Sequence, residues 1–127
     1  MFVRYQAAAP NARGTYPGIF ALCNGLARSG SLRDEDMRWW RASNDAMQAA
    51  YVDPGTVAPA VFDRSVHPEV SCWFKATATP LIQRVGGYLA LLDRYGVEWV
   101  HLKTDMPGRV LWEDSDQVVV EPFSSPA

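Results

Sequence analysis

The last third of the chain constrains the fold most, because three short segments with strand character follow one another there. Residues 97–103, VEWVHLK, alternate along the chain, and a turn at Pro107 and Gly108 comes next. The segments RVLWE and QVVVE then predict a hairpin closed around residues 114–116. Strands so closely spaced favour a mainly antiparallel sheet.

Apolar residues at helical spacing predict three helices. The first covers residues 17–30 and ends at a glycine, where a C-terminal cap belongs. The second, residues 31–51, has the clearest helix signature in the chain. The third begins at Thr77 or Thr79 and ends at Gly96. Its interior Gly-Gly pair indicates that another element approaches the backbone closely.

Residues 2–7 and 70–76 predict two further strands, and the proline-rich connection 52–69 has no sustained period and is expected to be irregular. The order of elements predicts an α+β fold. We expect a mainly antiparallel sheet of about four to five strands with about three helices packed on one face. The length of 127 residues predicts a single α+β domain over residues 1–127.

Composition and charge narrow the classes of function. With 48% hydrophobic and 20% charged residues, the chain is an ordinary globular sequence. The formal charge of −2 argues against nucleic-acid binding, since affinity for phosphates comes from clustered cations. No window approaches the roughly 18 apolar residues of a membrane span, and the start MFVRYQ lacks the features of a signal peptide. The two cysteines are therefore expected to be free thiols in the cytoplasm.

The helix predicted over residues 31–51 has three notable features. Ser31 followed by Asp34 resembles a capping box. Trp39 and Trp40 are adjacent and cannot both face one core, so at least one is expected in a pocket, in an interface or exposed, where it would support a homodimer. Asn44 interrupts the apolar face. Because a buried amide needs partners, Asn44 is either a satisfied structural residue or a polar group facing a pocket.

The segment SVHPEVSCWFK, residues 65–75, brings a histidine close to a cysteine. His67 precedes a proline on a loop edge and is available for proton transfer. Strand alternation turns Cys72 inward and predicts a core thiol, although a nucleophile is the alternative. Trp73 and Lys75 point to the opposite face of the strand from Cys72. Any chemistry of this segment is therefore expected from His67, Trp73 and Lys75.

The C-terminal strands add three candidates. His101 is either a partly buried structural histidine or a proton-transfer group. The acidic run at residues 113–116 is typical of a solvated turn. Glu113 and Glu121, at the flanks of the paired strands, are better placed if a cleft lies over the sheet. The two histidines and two cysteines form no paired ligand motif, so neither a metal nor a cofactor is predicted.

Two resemblances accompany these candidates. The order Arg4, then Thr77 and Thr79, then Glu113 or Glu121 is similar to the Arg…Ser/Thr…Glu order of ADP-ribosyltransferase folds. That resemblance implies an NAD-using enzyme with a cleft between β segments. The chain from FVRYQ through CWFKATA to PGRVLWEDSDQVVVEP also resembles small uncharacterised actinobacterial proteins, which implies no activity.

Two functions follow from these observations. The first is a small cytoplasmic domain that binds a small molecule or a protein partner, without contact to nucleic acid or membrane. Its candidate binding residues are Arg4, Asn44, His67, Trp73, Lys75, His101, Glu113 and Glu121. The second is a transferase or hydrolase, with an ADP-ribosyltransferase-like enzyme as one form, whose site gathers Arg4, His67, Lys75 and a late glutamate in one cleft.

Overall fold

A computed structural model describes residues 1–123 of the chain. The described residues form an α+β fold with a five-stranded antiparallel sheet, which confirms the predicted class. The strands are β1 (Phe2–Ala7), β2 (Ser71–Lys75), β3 (Trp99–Thr104), β4 (Arg109–Glu113) and β5 (Gln117–Glu121). The helices are α1 (Ile19–Arg28), α2 (Asp34–Ala50), α3 (Pro54–Val57) and α4 (Thr79–Arg94), and a 3-10 helix covers Pro59–Phe62.

The strand order in the sheet is β3-β1-β2-β5-β4, which leaves β3 and β4 at the edges. β4 and β5 form the predicted hairpin, in which the carboxylate of Asp114 accepts hydrogen bonds from the backbone N–H groups of Asp116 and Gln117 at 2.8 Å. A register shift between Val110 and Trp112 adds one residue to β4. This bulge decides which residues of β4 stand opposite those of β5.

The chain divides into two compact units. One, here called the sheet unit, comprises Met1–Arg4, Asp53–Gln83 and, of the described residues, 101–123. The other, here called the helix unit, comprises Tyr5–Val52 and Arg84–Val100. No helix within residues 1–123 is long and apolar enough to cross a membrane.

The helix unit is built on apolar stripes of α1 and α4. Its fully buried side chains are Ile19, Cys23, Val85, Tyr88, Leu91 and Leu92. Gly30 and Gly96 follow α1 and α4 with φ of 74° and 69°, the left-handed conformation that ends a helix without steric cost only for glycine. Both predicted helix ends are therefore confirmed.

The start of α2 differs from the prediction. The capping box is wrong, because the helix begins at Asp34 and Arg33 is its N-cap residue, without a side-chain cap. The hydroxyl of Ser31 instead lies 2.7 Å from that of Ser29. The backbone N–H of Arg33 donates to the hydroxyl of Tyr95 at 2.8 Å, so a distant side chain supplies the acceptor that a local cap would have given.

Both tryptophans of α2 are half-buried and contact other residues of the helix unit. The Trp39 ring lies edge-on to that of Tyr88, with centroids 5.1 Å apart, and covers Gly87 so closely that a Cβ there would overlap it. The Trp40 indole N–H donates to Asn24 at 2.9 Å. Adjacent helix positions differ by about 100°, so two neighbours of α2 can receive both rings. Part of each ring stays exposed, and the homodimer stays a prediction.

The connection over residues 52–69 is more ordered than predicted. It holds α3, whose N-cap residue Asp53 accepts a hydrogen bond from the N–H of Gly55 at 2.9 Å, and then the 3-10 helix. Pro54 and Pro59 begin these short helices, positions at which a missing N–H costs nothing. Two of the prolines from which an irregular connection was predicted are thus the first residues of its short helices.

The sheet unit has an apolar cluster of its own. Trp73, Val118 and Val120 are buried, and Phe2 and Leu102 pack against them. The indole N–H of Trp73 donates to the Ser71 hydroxyl at 3.2 Å. Trp73, a predicted binding residue, is therefore a core residue with its polar atom satisfied.

Candidate functional site

Three side chains of the sheet unit meet at one carboxylate oxygen. The Oε2 atom of Glu121 lies 3.2 Å from Nδ1 of His67 and accepts a hydrogen bond from the guanidinium of Arg109. We call His67, Arg109 and Glu121 the Glu121 cluster. His67 and Glu121 were both candidates from the sequence, whereas Arg109 was not.

The hairpin places Arg109 beside Glu121. The two residues stand directly opposite each other in the β4–β5 register, so their side chains leave the sheet on the same face. Gly108, with φ of 151°, precedes them, and a Cβ on it would overlap the backbone carbonyl of Glu121. Glycine is therefore the residue that lets β4 begin this close to the end of β5.

A tight turn delivers His67 to the same oxygen. Its backbone N–H donates to the carbonyl of Asp63 at 2.8 Å. The carboxylate of Asp63 in turn accepts from the N–H and hydroxyl of Ser65, at 2.9 and 2.6 Å. These local bonds fix the loop backbone, so the imidazole is held from its own segment as well as by Glu121.

Electrostatics keep Glu121 ionised. Its hydrogen bonds from Arg109 and His67 hold the pKa of the carboxyl below its usual range, because both partners favour the charged form. The negative charge makes Oε2 an acceptor, and a neutral imidazole beside it therefore carries its hydrogen on Nδ1. The carboxylate thus fixes both the orientation and the tautomer of His67.

The cluster keeps donor atoms accessible to a ligand. The side chains of Arg109, Glu121 and His67 are 67%, 28% and 17% exposed. No buried side-chain nitrogen or oxygen within residues 1–123 lacks a hydrogen-bond partner. The imidazole contacts Glu121 through Nδ1, and since none of these atoms is both buried and unpaired, its Nε2 atom is open to solvent. Arg109 likewise uses one terminal nitrogen on Glu121 and has others to offer.

Lys75 and Glu113 form a second ion pair at 2.9 Å, on the other face of the sheet. Glu113 stands opposite Val118, while Arg109 stands opposite Glu121 three residues further along β5. Side chains alternate between faces along a strand, so Val118 and Glu121 point to opposite faces of the sheet. The two ion pairs therefore lie on opposite faces as well. The single cleft predicted for His67, Lys75 and a late glutamate does not form around either glutamate.

Arg4 lies within the sheet unit beside Cys72. Its guanidinium donates to the backbone carbonyl of Cys72 at 2.7 Å. Burial lowers the pKa of Arg4, against the opposing effect of the neighbouring thiol. Burial raises the pKa of the Cys72 thiol, the charge of Arg4 opposes that rise, and Asp53 adds to it. The thiol is disfavoured as a thiolate, which argues against a nucleophile, and its side chain is half-buried where the sequence predicted a core position.

Asn44 is satisfied inside the helix unit. Its carbonyl oxygen accepts from the Tyr88 hydroxyl at 2.7 Å, and its amide donates to Asn24 at 3.1 Å. The Asn24 oxygen also accepts from the indole of Trp40. The geometry matches the structural one of the two predicted roles.

The remaining candidates are a histidine of β3 and the second cysteine. His101 is exposed on the edge strand β3, where burial and the charge of Lys103 lower the pKa of its imidazole. Cys23 is buried, and burial raises the pKa of its thiol to about 12. Within the described part of the chain, no group of three or more His, Cys, Asp or Glu side chains could hold a metal ion.

Comparison with known proteins adds no relative. No protein-family model matches the chain, and no curated protein or solved structure is significantly similar to it.

Proposed function

We propose that the chain is a small cytoplasmic binding domain for a molecule that bears an oxyanion, a carboxylate or a phosphate group, held by Arg109 and His67. The observation that carries the proposal is the shared Oε2 atom of Glu121, which holds both side chains while their other nitrogens face solvent. The free thiols of Cys23 and Cys72 support the cytoplasmic location.

Arginine suits this ligand chemistry because its planar fork offers several N–H donors to carboxylate or phosphate oxygens. A side chain already fixed by a carboxylate loses less conformational entropy on binding than a free one. Glu121 fixes Arg109 and His67 in this way, so the site is arranged before the ligand arrives. The single negative charge of Glu121 is balanced by Arg109, which limits repulsion of the ligand.

The proposal is tested by calorimetric titration with sulfate, a tetrahedral oxyanion, and with formate, a planar carboxylate. Arg109→Gln removes the main donor and is expected to weaken binding at least about tenfold, the effect of losing one charge-assisted hydrogen bond. Lys75→Gln is the matched control, since it removes the same charge from the opposite face. Equal affinities of the two variants would refute the site, and the preferred anion distinguishes a phosphate from a carboxylate ligand.

A second function, a hydrolase or transferase, is favoured by the pairing of His67 with Glu121. A carboxylate that fixes Nδ1–H leaves Nε2 free to accept a proton, which is the arrangement of a general base. For the NAD-using form, we expect release of nicotinamide from NAD by the wild-type protein and its loss in His67→Gln. Release that persists in this variant would exclude His67 as the base.

A further inference from the structure

The charge of the Glu121 cluster depends on one proton. With Glu121 ionised and Arg109 charged, the cluster is neutral when His67 is neutral and carries one positive charge when His67 is protonated. His67 is therefore the group of the cluster at which a proton changes this charge.

The same proton also reverses the hydrogen bonding of Nε2. When His67 is neutral, its hydrogen lies on Nδ1 toward Glu121, and Nε2 presents a lone pair to solvent. A lone pair repels the oxygens of an oxyanion. Protonation turns Nε2 into a charged donor, which attracts them. Charge and hydrogen-bond direction thus change together at the atom that faces the ligand.

We propose that oxyanion binding at the Glu121 cluster is coupled to protonation of His67, so that the protein takes up a proton with its ligand. This inference rests on the proposed function. The charged groups that act on His67 are Glu121 on β5, Arg109 on β4 and Asp63 in the preceding turn. The charge of Asp63 opposes an anion, which makes the imidazolium more necessary for binding.

The test is calorimetric titration of sulfate at several values between about pH 5 and about pH 8, each in two buffers of different ionisation enthalpy. Sulfate keeps its charge across this range, so a change in affinity belongs to the protein. Because the protein with protonated His67 is the form that binds, the wild-type affinity for sulfate is expected to fall with rising pH, by up to about tenfold per pH unit. Proton uptake should rise with pH toward one proton per sulfate.

The two histidines of the chain provide the matched variants. His67→Gln is expected to bind sulfate without pH dependence and without proton uptake, whereas His101→Gln should behave as the wild type. NMR of the wild-type imidazoles needs no variant: sulfate should raise the titration midpoint of His67 and leave that of His101 unchanged.

The results of these titrations distinguish a failure of the coupling from a failure of the proposed function. Saturable sulfate binding that weakens in Arg109→Gln but shows neither pH dependence nor proton uptake would overturn the coupling and leave the site standing. The absence of saturable binding at every pH tested would overturn both. Coupling that disappears in His101→Gln and persists in His67→Gln would show that His101 takes up the proton, and it would overturn the proposal for His67.

Discussion

The two units of the protein use their polar side chains in opposite ways. In the helix unit, both polar atoms of the Asn44 side chain bond to other side chains of the unit, the oxygen to Tyr88 and the nitrogen to Asn24. In the sheet unit, Arg109 and His67 share Glu121 and keep other nitrogens accessible. Polar groups of the first kind specify a fold, whereas those of the second kind can bind a ligand. The number of hydrogen-bond partners that a side chain has within the protein, more than its residue type, separates structural from functional candidates.

The tightest test of the helix unit is at Gly87, where the ring of Trp39 lies against the backbone of α4. Gly87→Ala places a methyl group into that ring and is expected to cost about 1–3 kcal/mol of unfolding free energy. Gly86→Ala is the control, since nothing lies within 4 Å of its added Cβ. It should stabilise the protein by up to about 1 kcal/mol, the difference in helix propensity. Urea denaturation measures both, and a neutral Gly87→Ala would show that this packing is loose.

Deleting one polar contact in each unit tests whether those contacts serve stability in one unit and binding in the other. Tyr88→Phe leaves the carbonyl of Asn44 without its donor and is expected to cost about 1–2 kcal/mol of stability. Glu121→Gln is expected to cost less, because its contacts are partly exposed to water, yet to change the affinity for sulfate, because it removes one negative charge from the cluster and releases Arg109. Urea denaturation and a sulfate titration of each variant give the four values. A Tyr88→Phe variant that lost sulfate affinity at full stability would contradict the division of roles.

The smallest expected effect concerns acid stability at the start of α2. Hydrogen bonds from Tyr95 and Arg94 lower the pKa of Asp36, because both favour the carboxylate. Its stabilising effect is therefore fully present above the ordinary aspartate pKa and is lost as the pH falls through the lowered value. Asp36→Asn should flatten the fall in melting temperature on acidification, whereas Asp34→Asn, in the same helical turn, should not. Parallel acid curves for all three proteins would remove Asp36 from this role.

Much of the fold could be predicted because its signals are local. The hairpin turn at Asp114, the glycines that end α1 and α4, and the apolar spacing of the helices each act within a few residues. The start of α2 could not be predicted in this way. Its acceptor is the hydroxyl of Tyr95, 62 residues from Arg33, and no local pattern encodes that contact.

The candidate site was predictable as separate residues and not as a cluster. His67 stood out as a loop histidine and Glu121 as an acid at a strand end, but 54 residues separate them. Arg109 reaches Glu121 because the bulge between Val110 and Trp112 adds one residue to β4. In an unbulged hairpin a different residue would stand opposite Glu121. Backbone irregularity of this kind leaves no clear signal in one sequence.

The most direct test of the binding site is an NMR titration of the wild-type protein with sulfate at about pH 5, the acid end of the range in which histidines commonly change charge. We expect saturable shifts that are largest at the Nε–H of Arg109 and the imidazole of His67, with small changes at Lys75 and His101. Shifts that are largest at Lys75 or His101, or that never saturate, would contradict the claim that the Glu121 cluster is a binding site.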